Sequence, residues 1–440
     1  MKINKAIKKE PIYTEEGGKA SHITKLEELT RATMSCLLWE NEFYEDGVSI
    51  ADRIVSLTKE CIDRGLYDKV IELLKKVKFD MKLRHCSLWM IVAIYKSGKT
   101  ISKDVIASIL TRPDDAGELI ALYRKDNNKA PIPNAFKKGI ALSFQKWDEY
   151  QLAKWNKSAL YKLVDIVNLC HPTPTEAINK LMSNTLPTPQ TWEVMLSEAG
   201  SDENKKQEAW KSLMESGKLP AMAFLKNIRG MLKCNVSKNA LVAYLNNINA
   251  TKLLPIDFIR SADANPTMES ELENKFLNSF VGEKIQGKTA LLIDVSGSMY
   301  NSWISTVENN KYAAALAMIG REMFDDVDIY SFSNDIILIP NRHGFALRDA
   351  INRSQSHCGT YMWKSVETVL RKNDYQRLIV ITDEQTADRP IQATVNSYII
   401  NISTNKNGVG YEYGYKHING FSDKVFEYIA EIEKMDKNNI

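Results

Sequence analysis

The sequence predicts a multidomain α plus α/β protein: stacked helical hairpins over residues 1–283, then a doubly wound parallel sheet over residues 284–440. Three observations carry this. Apolar residues recur at helical spacing through the first part, as in Tyr67, Val70, Ile71, Leu74 and Val77, or Leu160, Leu163, Val164, Val167 and Cys170. Prolines fall between the periodic segments, at Pro113, Pro131/Pro133, Pro172/Pro174, Pro187/Pro189, Pro220, Pro255 and Pro266, where they start or stop helices. After Glu283, the strand-like runs TALLID, VDIYSFS, IILIP, RLIVITD and SYIINIS alternate with helical stretches such as Lys311 to Phe324 and Tyr361 to Lys372.

In chain order, the lead MKINKAIKKE is basic with no apolar stretch behind it, and no later run is long enough to span a bilayer. A soluble, cytoplasmic protein is expected. A polar segment with Gly17 and Gly18 precedes the helices. These are of medium length with short breaks and no fixed sequence period, which suggests a solenoid whose repeat is structural only. Gly282 to Lys288, polar with two glycines, reads as the linker. At 440 residues the chain exceeds one core, and its 44% apolar and 26% charged content is ordinary for a globular protein. Six scattered cysteines without a CxxC pair argue against a disulfide framework or a zinc site.

The net charge of +3 conceals an asymmetry. From Lys284 onward there are 17 Lys+Arg against 19 Asp+Glu; before it there are 41 against 36. A polyanion would therefore meet the N-terminal part.

The chemistry-bearing stretch is TALLIDVSGSM, Thr289 to Met299, an apolar run ending in Asp294, Ser296 and Ser298. A buried strand that delivers a carboxylate and two hydroxyls at i, i+2 and i+4 can converge them on one hard cation, Mg²⁺ or another divalent ion. Thr360, after Cys358-Gly359, and Asp383, at the end of the run RLIVITD, complete an all-oxygen set. The plain alternative is a polar loop after a strand. Enzymatic readings are weak: position 296 lacks the second carboxylate a phosphoaspartyl hydrolase needs, and a serine nucleophile would require a placed base, for which His343 and His357 are the nearby candidates. No GxxxxGK[ST] phosphate loop occurs. A non-enzymatic binding site is expected.

In the helical part, basic residues cluster with aromatics nearby. Lys82-Leu83-Arg84-His85 precedes an apolar helix near Leu88; Phe136-Lys137-Lys138 follows a proline break; Lys226, Asn227 and Arg229 flank the apolar face of Phe224, Leu225, Ile228, Met231 and Leu232. Each could contact phosphate or a base edge; each is also what a solvated helix face looks like. Tyr44, Trp155 and Trp210 read as packing aromatics.

The set DxSxS, Thr360 and Asp383 resembles the metal-ion-dependent adhesion site of von Willebrand factor A domains. That resemblance implies Ser296 and Ser298 as direct Mg²⁺ ligands. Thr360, Asp294 and Asp383 would act directly or through water, with one position open for an acidic side chain of a protein partner. The segments LTRATMSCLLW, KLRHCSLWMIVAI, IPNAFKKGIALSFQKW, AWKSLMESGKLPAMAFLKNIRGML and TKLLPIDFIRSADANP resemble the Ro autoantigen family of TROVE-domain proteins. The family implies a ring of HEAT-like helical repeats closed by the von Willebrand A domain. It binds small noncoding Y RNA on the outside and single-stranded 3′ ends of misfolded RNA through the hole, in RNA quality control. A bacterial member can be tethered to an exoribonuclease through the RNA. By motif, Lys137/Lys138 and Lys226/Asn227 match the family's basic helices, and Arg84/His85 its RHxxL segment.

Three departures stand out. Cys358-Gly359 replaces a glycine pair. Lys154-Trp155-Asn156-Lys157 replaces a longer basic stretch, leaving Lys154 as its RNA-facing candidate. Ser158-Ala159 stands where some members have a histidine. The length fits a bacterial or phage member, and a monomer with no membrane contact is expected. The competing reading is a metal-dependent protein-interaction scaffold with no primary RNA role.

Overall fold

The computed structural model describes residues 10–125, 130–156, 160–300 and 303–438. The chain forms two compact units, Ala51–Lys275 and a second built from both ends, Met1–Ile50 with Phe276–Ile440. The expected division at 283/284 differs: residues 1–50 belong with the C-terminal part. The basic lead, residues 1–9, and Lys157, Ser158 and Ala159 lie outside the described residues.

Ala51–Lys275 is helical throughout, from Tyr67–Phe79 and Arg84–Lys96 to Ala221–Lys233, Lys238–Asn247 and Pro255–Ala264. The prolines act as expected. Pro113 and Pro255 sit in the first turn of their helices, and Pro133 and Pro220 at N-caps, where the missing N–H costs nothing. Arg84–Lys96 is buried from Cys86 to Ile94 on all sides, so it is the central helix of its layer. Helices Lys103–Ile109 and Asn134–Phe144 approach closely: a Cβ on Gly139 would lie 2.6 Å from the Cβ of Ile106. Leu160, expected within a helix, is 80% exposed and precedes the helix Leu163–Cys170; apolar spacing alone did not mark the boundary.

The other unit holds a two-stranded ladder, β1 (Ile12–Tyr13) and β2 (Lys19–Ala20), and a six-stranded sheet. The latter comprises β3 (Ile285–Asp294), β4 (Phe324–Phe332), β5 (Ile336–Leu338), β6 (Arg377–Thr382), β7 (Asn396–Asn401) and β8 (Lys416–Asn419), in the order β5-β4-β3-β6-β7-β8. Only β5 is antiparallel, so this is the doubly wound sheet the sequence predicts. The expected linker's second half is already strand. β8, KHIN, is a strand the sequence does not mark, because it carries a single apolar residue, Ile418. Ala290 and Leu292 pack with Met362, Trp363 and Val366 of the helix Met362–Lys372. On the other face, helix Asn309–Met323 comes so close that a Cβ on Gly320 would lie 3.0 Å from Leu291.

The N-terminal segment is part of this unit's core. Thr14 Oγ1 and the Gly18 N–H both donate to the Thr386 carbonyl, at 2.7 and 3.1 Å. Gly18 is required there, since a Cβ would stand 2.1 Å from that oxygen. From helix Lys25–Met34, Arg31 is fully buried. It pairs with Glu384 and donates to the carbonyls of Asn405 (3.2 Å) and Asn407 (2.9 Å). Burial alone would raise the Glu384 carboxyl, but Arg31 and His417 hold it at about 2.

Removing one partner of a buried pair leaves the other charge uncompensated, at about 3–5 kcal/mol. Arg31→Ala is accordingly expected to lose about that much stability at pH 7 in denaturant unfolding. Because the folded pKa of Glu384 is depressed, the pair's contribution is complete above its ordinary value of 4.5 and lost as pH falls toward 2. The gap between variant and wild type should shrink over that window.

Candidate metal centre and nucleic-acid interface

β3 and its parallel neighbour β6 carry the two carboxylates of the metal candidate past their carboxyl ends. Asp294 closes β3, and Ser296 and Ser298 follow in a turn that winds into Gly297–Tyr300. Asp383 follows β6, and Thr360 lies in the loop before Met362–Lys372. All five side chains are buried. Asp294 accepts from the Ser296 N–H (2.9 Å) and from Thr382 Oγ1 (2.6 Å); Asp383 accepts from the Gln385 N–H (3.2 Å). The Ser296 and Ser298 hydroxyls stand 3.3 Å apart.

The two loops are tied by the Gly297 N–H donating to the Cys358 carbonyl (2.9 Å). Ser333, just past β4, fixes the same loop by accepting from the Cys358 N–H (3.1 Å) and donating to the Gly359 carbonyl (2.9 Å). Cys358 thus serves through its backbone, which explains why a cysteine can replace glycine there. Thr360 opens no helix itself; the helix begins two residues later. Thr382 and Ser333 are site residues that sequence reasoning missed, since neither belongs to the recognisable spacing.

Burial raises the Asp294 carboxyl, and burial together with the nearby Asp294 charge pushes Asp383 up to about 8. Among the described residues neither makes an ion pair with a basic side chain. Two buried acids without a cation are an electrostatic deficit. The donor set fits a hard divalent ion. Its oxygens are two carboxylates and three hydroxyls, and the hydroxyl separation is close to the roughly 3 Å edge of an octahedron with 2.1 Å bonds. No group of three or more His, Cys, Asp or Glu side chains that could hold a metal occurs among the described residues. Neither nearby histidine hydrogen-bonds Ser296 or Ser298 among the described residues. His357 Nδ1 donates to the Val295 carbonyl (2.8 Å) with its ring stacked on Tyr300, and His343 Nδ1 bonds Glu322 (2.5 Å).

The RNA candidates separate into three kinds. Lys138 is exposed and Lys137 half-buried on Asn134–Phe144, whose Phe136, Gly139 and Ile140 face inward. Lys226 and Arg229 are exposed on Ala221–Lys233, opposite its buried Phe224, Leu225, Ile228 and Met231. Lys137, Lys138 and Arg229 make no ion pair among the described residues. The Asn227 amide is committed to its own helix, donating to the Ala223 carbonyl (2.8 Å).

Arg84 has partners within its own unit. Its guanidinium binds Asp115 (2.5 Å) and Asp114 (3.1 Å), and Asp115 is buried beside Lys78. These contacts tie Arg84 into the helix packing, with 24% of its side chain exposed. His85 accepts from Arg84 (2.8 Å), and burial and Arg84 lower its pKa, so it is neutral. Asp114 also holds Arg112, which stacks on Trp155 at 3.9 Å, and Lys154 lies 5.6 Å from the same ring. The structure thus joins Arg84, His85 and Lys154 into one polar–aromatic strip through Arg112 and Trp155. Trp210 packs in the core on Trp192.

No described helix is long and apolar enough to cross a membrane. Charge divides by unit: Ala51–Lys275 carries 34 Lys+Arg against 26 Asp+Glu, and the remaining residues 24 against 29.

A family model for the TROVE domain matches residues 179–319, which include Lys226, Asn227, Arg229 and the loop Asp294–Ser298. Telomerase protein component 1 of Mus musculus is 29% identical over 110 residues, and that of Rattus norvegicus 27%. Each match takes in 24% of this chain and 4% of the relative's length. Among solved structures, the Ro (RSR) protein of Deinococcus radiodurans superposes with a TM-score of 0.58 at 15% identity, covering 91% of this chain and 97% of that one. Residues 179–319 thus match the TROVE domain, and the chain shares the fold of the Deinococcus radiodurans Ro protein.

Proposed function

We propose that the protein binds RNA through its helical unit and serves as a ribonucleoprotein scaffold, with no catalytic step of its own. The observation that carries this is the charge division, an excess of eight basic residues in the unit Ala51–Lys275, together with the TROVE match that begins within it. Exposed lysines and an arginine without ion-pair partners meet phosphate without first breaking a contact. In the finer form of this reading, the ligands are a small noncoding Y-like RNA and the single-stranded 3′ ends of structured or misfolded RNA. Lys137, Lys138, Lys226 and Arg229 then supply phosphate contacts, and the Arg112–Trp155–Lys154 strip supplies a stacking surface.

The α/β unit takes a separate role. Asp294, Ser296, Ser298, Thr360 and Asp383 would hold Mg²⁺ or a similar ion, which when bound supplies a Lewis-acidic position for a partner's carboxylate. The protein's own residues orient that ion and exclude water around it.

Binding of a structured RNA with and without a 3′ tail, across a salt series, tests the reading. Replacing Lys137 and Lys138 by Ala is expected to weaken binding and to reduce the slope of log K against log salt by about 2. Tail-independent binding with an unchanged slope sinks it. Asp294→Ala is expected to leave RNA affinity as it was. Arg84→Ala should instead lower the melting temperature, because buried Asp115 loses a partner. Protein purified at low salt with the absorbance ratio of bare protein would favour the interaction-scaffold reading.

A further inference from the structure

β4 is longer than the strand that borders it on its outer side. β3 runs beside it from Phe324 to Phe332, whereas β5 pairs only with Tyr330, Ser331 and Phe332. One further bond, from the Ile339 N–H to the Ile329 carbonyl (2.8 Å), ends that ladder, and Pro340 has no N–H to continue it. Among the described residues, β4 thus has an unpaired outer edge over residues 324–328. Backbone groups along a strand alternate in direction, so the edge that Ile329 turns to β5 is also that of Val327 and Asp325. The register shift in the β3–β4 ladder inserts its extra residue in β3, between Ile285 and Lys288, and leaves this alternation intact. Asp294 pairs with Phe332, so the cation candidate stands at the opposite end of β4.

The chain leaving β5 opens a cleft of about 500 Å³ between residues 324–329 and residues 338–341. Arg321, in the last turn of helix Asn309–Met323, lines it. The residue is 9% exposed; Nη1 donates to the Val327 carbonyl at 2.7 Å, and Nε has no acceptor among the described residues. An added strand would bring a peptide N–H to that carbonyl and a peptide C=O within reach of the released guanidinium. Arg321 therefore holds the place of a strand while leaving one buried donor unsatisfied. The charged residues lining the cleft are Lys284 and Arg321 against Glu322, Asp325, Asp326 and Asp328. Glu322 bonds His343, and Asp328 accepts from the Tyr375 hydroxyl (2.7 Å). Asp325 and Asp326 are exposed, make no ion pair among the described residues, and by strand alternation face opposite sides of the sheet. A basic side chain on either face of an added strand finds an acid.

We propose that residues 324–328 of β4 form a docking edge for an extended, basic peptide segment of a protein partner, which adds as a strand in line with β5 and displaces Arg321 from the Val327 carbonyl. Main-chain bonds to Val327 and Asp325 hold the segment, and Asp325 and Asp326 select its lysines or arginines. The empty edge stays shielded, because the Arg321 guanidinium occupies a position that would otherwise invite pairing with any chain.

Fluorescence anisotropy of a labelled hexapeptide of alternating lysine and valine, titrated with nucleic-acid-free full-length protein, tests this. Binding is expected, and N-methylation of the peptide backbone, which keeps its charges and removes its donors, should weaken it at least about 10-fold. Phe324 is extended (φ −85°, ψ 135°), as a residue before proline must be, so Asp325→Pro fits the chain there and removes an edge N–H. Asp325→Pro should bind the peptide about 10-fold more weakly than Asp325→Asn, which loses the same charge and keeps that N–H. Failure of the wild type to bind, equal binding of the two peptides, or equal binding of the two variants overturns the docking edge; equal binding of the peptides would mean attraction of charge alone. If Asp325→Pro melts well below wild type, the comparison of the two peptides decides.

Discussion

The buried pair of Arg31 and Glu384 is the contact on which the α/β unit's upper face depends. Glu384 follows Asp383 directly and adopts φ +63°, a left-handed conformation that costs a non-glycine residue about 1–2 kcal/mol. The turn is held by what surrounds it. Arg31 takes one carboxylate oxygen, the Val409 N–H donates to the other at 2.8 Å, and the Glu384 N–H donates to Thr382 Oγ1 at 2.9 Å. Thr382 in turn bonds Asp294. An arginine in the first helix thereby fixes the peptide that aims one acid of the candidate site and, through Thr382, steadies the other.

The two units divide chemical labour by dielectric surroundings. In the α/β unit, Asp294 and Asp383 are buried with no basic partner among the described residues, a condition that favours one tightly held ion. In the helical unit, the basic surplus sits largely in water, where each charge is weak alone and many add up along a polyanion. Where a basic residue of that unit is drawn inward, as Lys78 and Arg84 are around Asp115, it serves helix packing.

Much of this was legible in the sequence, and the reasons are local. The β-branched runs ending in Asp294 and Asp383 marked adjacent parallel strands, and hydroxyls at alternate positions marked the turn between strand and helix. The prolines marked helix starts. What stayed hidden depends on partners remote in sequence. The pairing of Arg84 with Asp114 and Asp115 could not be read from the sequence, because they lie about thirty residues on. Tyr44 read as a packing aromatic because its hydrogen-bond partner Glu16 lies 28 residues away in the chain. Thr382 was invisible beside the more recognisable Asp383. The polar strand Lys416–Asn419 carries no apolar alternation, since its ladder with β7 is held by backbone bonds. The pairing of residues 10–50 with the last third of the chain has no periodicity to reveal it.

That pairing sets an order of events during synthesis. Arg31 is made early, but its acceptors Glu384, Asn405 and Asn407 come more than 350 positions later. At about 5–20 residues per second the first segment waits on the order of 20–75 s for the strands that bury it. The helical array, whose contacts are closer in sequence, can fold meanwhile. A chain interrupted before Glu384 holds the whole sequence of the helical unit but not the acid that pairs with Arg31.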